Sequence, residues 1–399
     1  MIQLMRLGFY YHIPAVNKPD GFYMPGYLGR FIDSLAGLCN QIVCFQHSPR
    51  LDELELMDYR ITSPNVKWVN IGPHNSVINR TFFSSRYTRH LAAYTGKLDV
   101  LLVRGPSPLL PAMVSASPVP TALLLVGDYL KGIDDLPQPR WRKEAIRLWS
   151  HWNKWAELRA ARRSLTFVNS RVLYHEFSPL LSNLREVRTT TLMESDFFER
   201  LDTCQSAPPY HLLYAGRMDR AKGLLQMAQA VALLCERGIN VVLDLVGPVE
   251  RGDSILDELS AFATSKNIKQ HINYAGYQSI GDNLFSFYRR ADVYIQASLA
   301  SEGFPRVIWE AMSQCVPVVA TRVGSIPDFV GDAAELVEPR NFKLLADAIQ
   351  RVIQSPERRR LMIRKGLLLA RKNTLKNSSE NIIIELVAYL NKPKENSYD

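Results

Sequence analysis

Residues 210–247, "YHLLYAGRMDRAKGLLQMAQAVALLCERGINVVLDLVG", contain one complete structural period. An apolar run at 212–215 ends at Gly216, and a short basic segment leads to Gly223. Leu224, Leu225, Ala228, Val231 and Leu234 then recur at helical spacing until Gly238, and a second run, apolar but for Asp244, occupies 241–246. A continuously apolar strand has no face for water, so it is buried on both sides. Two such strands joined through a helix form a parallel pair, the repeating unit of an α/β sheet.

The same rhythm extends in both directions. "IVCFQ" (42–46), "LDVLLVRG" (98–105), "TALLLVGD" (121–128) and "SLTFVNS" (164–170) precede it, with a first strand inside "MIQLMRLGFYYHIP" (1–14). "INYAGY" (272–277), "ADVYIQAS" (291–298) and "VPVVATR" (316–322) follow. This pattern predicts two doubly wound, Rossmann-like α/β domains, and 399 residues is too long for one ordinary core. The acidic, proline-ended stretch "LMESDFFERLDTCQSAPP" (192–209) interrupts the rhythm. It divides the chain into a first domain, 1–198, and a second domain, 199–377, with a final helix at about 378–392 packing back on the first. Two such domains face one another across a cleft at the carboxyl ends of their sheets, where ligands of open α/β sheets bind.

Composition narrows the class. Cys39, Cys44, Cys204, Cys235 and Cys315 are scattered without a CxxC pair, which argues for a reducing compartment and against zinc. The first fourteen residues carry one Arg and are broken by Pro14, unlike a secretion signal. The apolar stretch 108–129 holds several prolines, which would break a membrane-spanning helix, so a cytoplasmic location is expected. The net charge of +9 draws anionic partners, among them nucleic acid, anionic lipid and phosphorylated substrates. No nucleic-acid recognition motif accompanies it, and nucleic acid is set aside.

The charge is concentrated in "RWRKEAIRLWSHWNKWAELRAARR" (140–163), with eight Lys or Arg against Glu144 and Glu157, and with Trp141, Trp149, Trp152 and Trp155. Such a helix suits the headgroup layer of an anionic membrane, placing the protein peripherally at the inner face. A helix resting its Trp edges on the core is the alternative. Ile146, Leu148, Trp152 and Trp155 do not settle into one clean face by spacing, and both readings stay open.

The chemistry gathers in the second domain. Gly216 turns the chain tightly at a strand end, aiming Arg217 into the crevice. Lys222 stands beside Gly223 at a helix start, where backbone N–H groups favour an anion. A guanidinium fork with an ammonium point charge suits a diphosphate, although two solvated cations at a strand–helix junction are common. In "LASEGFPRVIWEAMSQCVPVVATRVGSIPD" (299–328), Pro305 fits a first helical turn, leaving the Arg306 and Val307 amides for a second phosphate. Along a continuous helix Glu302 and Glu310 would stand about 80° and about 12 Å apart, so they are no helical pair. They face different parts of one extended ligand, and carboxylates accept hydrogen bonds from vicinal hydroxyls. A nucleotide sugar, with two diols bridged by a diphosphate, uses all four groups. Glycoside hydrolysis also needs two carboxylates, but it leaves Arg217 and Lys222 unused. Taken singly, Glu302 could be an acid favoured by the helix dipole and Glu310 an exposed helical residue.

"EGFPRVIWEAMSQCVPVVATRVGSIPDFV", with "AGRMDRAKG", "INYAGY" and "ADVYIQASLASEGFP" upstream, resembles the donor half of the group 1 (family 4) glycosyltransferases, retaining enzymes of GT-B fold, over residues 210–340. The resemblance implies that Arg217 and Lys222 hold the diphosphate and Glu310 the ribose. Glu302 and the backbone around Phe304 would hold the sugar, and Gly276 with Tyr277 the base. In the first half "GYLGRFIDSLAGLCNQIVCF" (26–45) resembles the family's glycine loop, so Gly26 and Gly29 would let backbone approach donor phosphate and acceptor, or be ordinary turn glycines. Many relatives carry a His after a central strand, where this chain reads "LLLVGDYLKG" (123–132). Asp128 is the candidate there, with turn capping as its alternative, and His12 is a second candidate.

The implied activity is transfer of a hexose-type sugar, with retention, from a nucleoside-diphosphate donor. The acceptor would be a lipid-linked or oligosaccharide intermediate of cell-surface polysaccharide. A front-face route needs no dedicated base, and without an acidic DxD pair no essential metal or other cofactor is expected. A nucleotide-sugar 2-epimerase and a non-catalytic nucleotide-sugar-binding homologue are the alternatives.

Overall fold

A computed structural model describes residues 5–130, 139–249, 253–299, 303 and 306–392. They form two compact units, the first made of 5–130, 139–189 and 375–392, the second of residues 190–374.

The sheet of the first unit contains β1 (Arg6–Tyr10), β2 (Gln41–Ser48), β3 (Val66–Pro73), β4 (Val100–Gly105), β5 (Thr121–Leu125), β6 (Leu165–Val168) and β7 (Leu184–Glu186). Their order is β7-β6-β5-β4-β1-β2-β3, with every pairing parallel. The second unit contains β8 (Tyr210–Ala215), β9 (Val241–Val246), β10 (Ile272–Gly276), β11 (Val293–Gln296), β12 (Val318–Thr321) and β13 (Ala334–Val337), in the parallel order β10-β9-β8-β11-β12-β13. Each sheet runs outward in one direction and then in the other from its first strand. This is the doubly wound topology, with switch points between β1 and β4 and between β8 and β11.

Burial explains the apolar runs. Along β8, Leu212 and Tyr214 enter one apolar layer, while Leu213 and Ala215 enter the layer on the opposite face. Both sides of the strand are dry, so both sets of alternate residues must be apolar. Within the two parallel sheets, the strands that the run pattern misses, β3, β7 and β13, all lie at edges; a small antiparallel sheet of Val16–Lys18, Gly21–Met24 and Tyr59–Arg60 escapes it as well. There one side is wet, and β3 sets exposed Lys67, Asn70 and Pro73 among partly buried residues and one buried, Ile71.

The acidic stretch 192–209 lies inside the second unit. It is held there by Arg200, whose guanidinium donates to the carbonyls of Tyr288, Arg289, Ala291 and Cys315. Asp202 adds a buried ion pair with Arg359 at 2.8 Å. The last helix, Leu375–Leu390, packs in the first unit: Ser34 bonds to Ser379 at 2.8 Å, and Arg185 donates to Glu385 at 2.7 Å.

Helix Arg140–Ala161 inverts the usual burial. Ser150, Asn153, Glu157, Ala160 and Ala161 are buried, while Trp141, Leu148, Trp152 and Trp155 are each more than half exposed. At 3.6 residues per turn these four span an arc of only about 60°. These four therefore share one face, the outer one, while Ile146 stands more than about 100° away from them, so the set named from sequence does not share a single face.

Candidate donor-binding site

Three glycines shape the carboxyl edge of the second sheet. Gly216, after β8, has φ +153° and donates its amide to the Val246 carbonyl at 2.8 Å. Gly247, after β9, has φ +142°, and a Cβ there would lie 1.9 Å from the Gly216 carbonyl oxygen. Its amide reaches the Gly276 carbonyl at 2.8 Å, and Gly276 itself has φ +70° with open space around it. These contacts draw the ends of β8, β9 and β10 into one side-chain-free edge, which a ligand can approach at backbone distance. Gly247 escapes a reading of motifs one at a time. Its signal is the recurrence of Gly after each of three consecutive apolar strands.

Arg217 leaves this edge immediately after Gly216. Its carbonyl accepts from the Tyr214 hydroxyl at 2.8 Å, which ties the turn to the strand. Its guanidinium is 65% exposed and pairs with Asp219 at 3.6 Å, a contact that contributes little to stability and leaves the group accessible to an anion. Lys222 closes the 3₁₀ turn Arg220–Lys222. Gly223 follows at φ +72°, and a Cβ there would come 2.1 Å from the Ala297 carbonyl oxygen. The Leu299 amide donates to the Ala221 carbonyl at 2.8 Å. The turn that carries Lys222 is thus pressed against the end of β11, across the switch point. Arg220, the third cation of "RMDRAK", is consumed by Asp253 at 2.8 Å and by Glu258, and it anchors the turn.

This close approach sets a stability test. Gly223→Ala must take both a left-handed backbone and a clash with backbone oxygen, and it is expected to cost about 2 to 4 kcal/mol. Gly276→Ala meets only the backbone strain and should cost about 1 to 2 kcal/mol. Urea denaturation of the two variants compares them, and equal losses would contradict the approach to Ala297.

Helix Arg306–Ser313 begins at Arg306, so the Arg306 and Val307 amides belong to its first turn, where intrahelical acceptors are absent. Glu302 and Phe304 lie outside the described residues. Glu310 is 5% exposed, which corrects the reading of it as an exposed helical residue. Its Oε1 accepts from the Thr191 hydroxyl at 2.7 Å and its Oε2 from the Tyr288 hydroxyl at 3.0 Å. Burial and the Glu310 carboxylate together hold the Tyr288 phenol well above its usual range, so it remains a donor. Both carboxylate oxygens keep a second lone pair for a ligand hydroxyl. Tyr277, directly after β10, is 40% exposed. Beneath the edge, Tyr294, Gln296, Ser298 and Thr321 form a buried hydrogen-bonded chain with links of 2.7 to 2.8 Å. Its sequence signal is the polar tail of each of two apolar strands.

The candidates of the first unit are placed differently. Gly26 and Gly29 are helical rather than turn residues, in helix Gly26–Ala36. The Gly26 amide is already donated to Asp58 at 2.8 Å. A Cβ at Gly29 would lie 2.2 Å from the Tyr59 ring, so this glycine makes room for Tyr59. Asp128 accepts from the Leu130 amide and from Lys154, each at 3.0 Å, which makes it a turn cap and an ion-pair partner. Burial and nearby cations hold the His12 imidazole down at about 3, hence neutral.

Residues 205–367 match the family model described as glycosyl transferases, group 1. The capsular polysaccharide biosynthesis glycosyltransferase CapM of Staphylococcus aureus is 29% identical over 47% of this chain and 49% of its own length. The O-antigen chain mannosyltransferase B of Escherichia coli is 30% identical over 50% of this chain and 53% of its own. The chain thus spans about half the length of the curated relatives it matches. Among solved structures, Anabaena HepE in complex with UDP and glucose superposes with a TM-score of 0.72 at 17% identity, covering 96% of this chain and all of that one. The two-unit GT-B fold expected from the sequence is the fold found.

Proposed function

We propose, from the premise that residues 205–367 belong to the group 1 glycosyl transferases, that the chain transfers a hexose-type sugar from a nucleoside-diphosphate donor to an acceptor hydroxyl in polysaccharide synthesis. The observation that carries this reading is the glycine edge at the carboxyl ends of β8, β9 and β10, flanked by Arg217 and by the turn bearing Lys222. The edge admits a diphosphate at backbone distance, and the two cations neutralise the charge that grows on it as the glycosidic bond breaks. Glu310, oriented by Thr191 and Tyr288, takes the ribose hydroxyls, and Glu302 aligns the sugar. Transfer proceeds with retention, and a leaving-phosphate oxygen takes the acceptor proton, so neither a side-chain base nor a metal is required. HepE, of the same fold, was solved with UDP and glucose, and CapM is named for capsular polysaccharide, which supports the donor and acceptor classes.

The test is a thermal-shift series across nucleoside diphosphates. A ligand that binds only the folded state at 100 times its dissociation constant stabilises it by about 2.7 kcal/mol. One nucleoside diphosphate should raise the melting temperature by several degrees, and its sugar should turn over only with an acceptor present. Indifference to every nucleotide would end the proposal.

The acceptor is proposed to be lipid-linked. No helix among the described residues is long and apolar enough to cross a membrane. The exposed Trp141, Leu148, Trp152 and Trp155 stripe, set among cations, suits the headgroup layer of an anionic bilayer. Co-sedimentation with anionic vesicles is expected at low salt and should be lost when Arg142, Lys143 and Arg147 are replaced by Gln. Binding that ignores lipid charge and salt would remove this part of the reading.

A further inference from the structure

The first unit carries a cationic cluster that no step above uses. Strands β4, β1, β2 and β3 are neighbours in the sheet and all parallel, so their carboxyl ends lie side by side. Arg104 is the penultimate residue of β4, His12 follows β1 by two residues, His47 is penultimate in β2, and His74 directly follows β3. Arg80 joins them from helix Val77–Phe82 and is 5% exposed, while His47 is fully buried. The His47 and His74 rings lie 5.5 Å apart. Among the described residues, Nε and Nη1 of Arg80, Nε2 of His47, Nε2 of His74 and Nδ1 of His12 are buried without a hydrogen-bond partner.

The surroundings are mostly cationic or aromatic. Glu53 is the one carboxylate acting on the cluster in the described contacts, and it already accepts from His74 Nδ1 at 2.7 Å and from Arg50 at 3.0 Å. Tyr87 meets the His47 ring edge-on at 5.2 Å, and Tyr10 bonds to Ser107 at 2.9 Å. The Arg104 guanidinium stands over Tyr11 at 4.8 Å. A buried guanidinium with two unanswered donors costs free energy, and with three unpartnered imidazole nitrogens beside it at one sheet edge it forms a site that a ligand completes. Arg80 and Arg104 repel a metal ion, and no trio of His, Cys, Asp or Glu among the described residues is arranged to hold one.

We infer that the carboxyl ends of β4, β1, β2 and β3, with Arg80, form an oxyanion site for a phosphoryl group carried by the acceptor. The assignment to the acceptor rests on the proposed transfer, whereas the anion site does not. A phosphate monoester presents three acceptor oxygens and no required donor, matching a guanidinium and several imidazoles. Burial and Arg80 hold His47 at about 3 in the empty site, so it is neutral, and its Nδ1 faces the Gly72 carbonyl at 3.3 Å. An anion at Nε2 offsets the burial and the charge of Arg80 that keep His47 neutral, and the imidazole takes up a proton to donate on both sides. Phosphate binding therefore consumes protons.

The test uses inorganic phosphate and phenyl phosphate on the Lys222→Ala protein, which weakens phosphate binding at the donor site. At matched ionic strength, millimolar phosphate should raise the melting temperature by several degrees and move the ring resonances of three of the eight histidines. Proton uptake should appear as a dependence of the calorimetric heat on buffer. Arg80→Gln should abolish the phosphate effect while melting no lower than its parent without phosphate, because it removes an uncompensated buried charge. A melting temperature indifferent to phosphate with unmoved histidine signals would overturn the site, as would an Arg80→Gln loss identical with and without phosphate. Phenyl phosphate binding more tightly than phosphate supports the assignment to the acceptor, and weaker binding refutes it. Retained nucleoside-diphosphate binding by Arg80→Gln, alongside a failed phosphate test, would sink this inference and leave the proposed transfer standing.

Discussion

Lys222→Ala is expected to lower turnover by two orders of magnitude or more at saturating donor and acceptor. The reason is positional. Gly223 presses the turn against Ala297, Arg220 anchors it to Asp253, and the Ala221–Leu299 hydrogen bond ties it to the end of β11. In the proposed transfer, this fixed turn holds the ammonium ready for the charge that builds on the leaving diphosphate. Removing one preorganised charge-stabilising donor costs about 2.7 to 4 kcal/mol of transition-state stabilisation, which is about 10² to 10³ in rate. Because the turn is held by backbone and by Arg220, the melting temperature should change far less than the rate. Glu302→Gln should show a comparable loss, through misalignment of the sugar. Steady-state rates within tenfold of the wild type for Lys222→Ala would remove Lys222 from the leaving-group side.

Glu157→Gln is expected to stabilise the protein at alkaline pH and not at acid pH. Glu157 is 2% exposed, on the buried face of helix Arg140–Ala161. Burial, aided by the charge of Asp128 and opposed by Lys154, raises its carboxyl to about 8. The folded value therefore stands above the ordinary one of 4.5. A carboxyl shifted upward binds its proton more tightly in the fold, so its contribution is fully present below pH 4.5 and is lost as pH rises toward 8. The loss approaches about 1.4 kcal/mol per pH unit across that window, or roughly 5 kcal/mol in all. Glutamine has the same shape and does not titrate. Urea denaturation at pH 5 and at pH 8.5 should show near-equal stabilities first and a clear advantage for Glu157→Gln second. A difference between the two proteins that does not change with pH would mean that Glu157 is ionised in the fold.

Several parts of the molecule were readable because their causes are local in the chain. "YAGRMDRAKG" shows a strand end, a glycine turn, three cations and a helix start within ten residues, and the fold keeps them together. The central strands were readable because burial on both faces makes most of their residues apolar, with the polar exceptions such as His47 and Arg104 near the carboxyl ends. The same rule hides β3, β7 and β13, since an edge strand has no such obligation. Glu302 and Phe304 were named from sequence and lie outside the described residues, so Glu310 is the member of the acidic couple whose surroundings are known.

The amino-acid sequence by itself determined the α/β class, the two doubly wound units and the glycine-and-cation turn of the donor side, since each follows from spacing within a few dozen residues. Tertiary structure alone decided that Glu310 is buried against Thr191, 119 positions away, and that Gly29 is small because Tyr59 needs the space. It also decided that the Trp stripe of helix Arg140–Ala161 faces outward, and that His12, His47, His74, Arg80 and Arg104 meet at one sheet edge. The physical reason is strand order. A parallel sheet brings side by side the ends of strands that are far apart in sequence, and nothing in the residues between them records which ends will be neighbours.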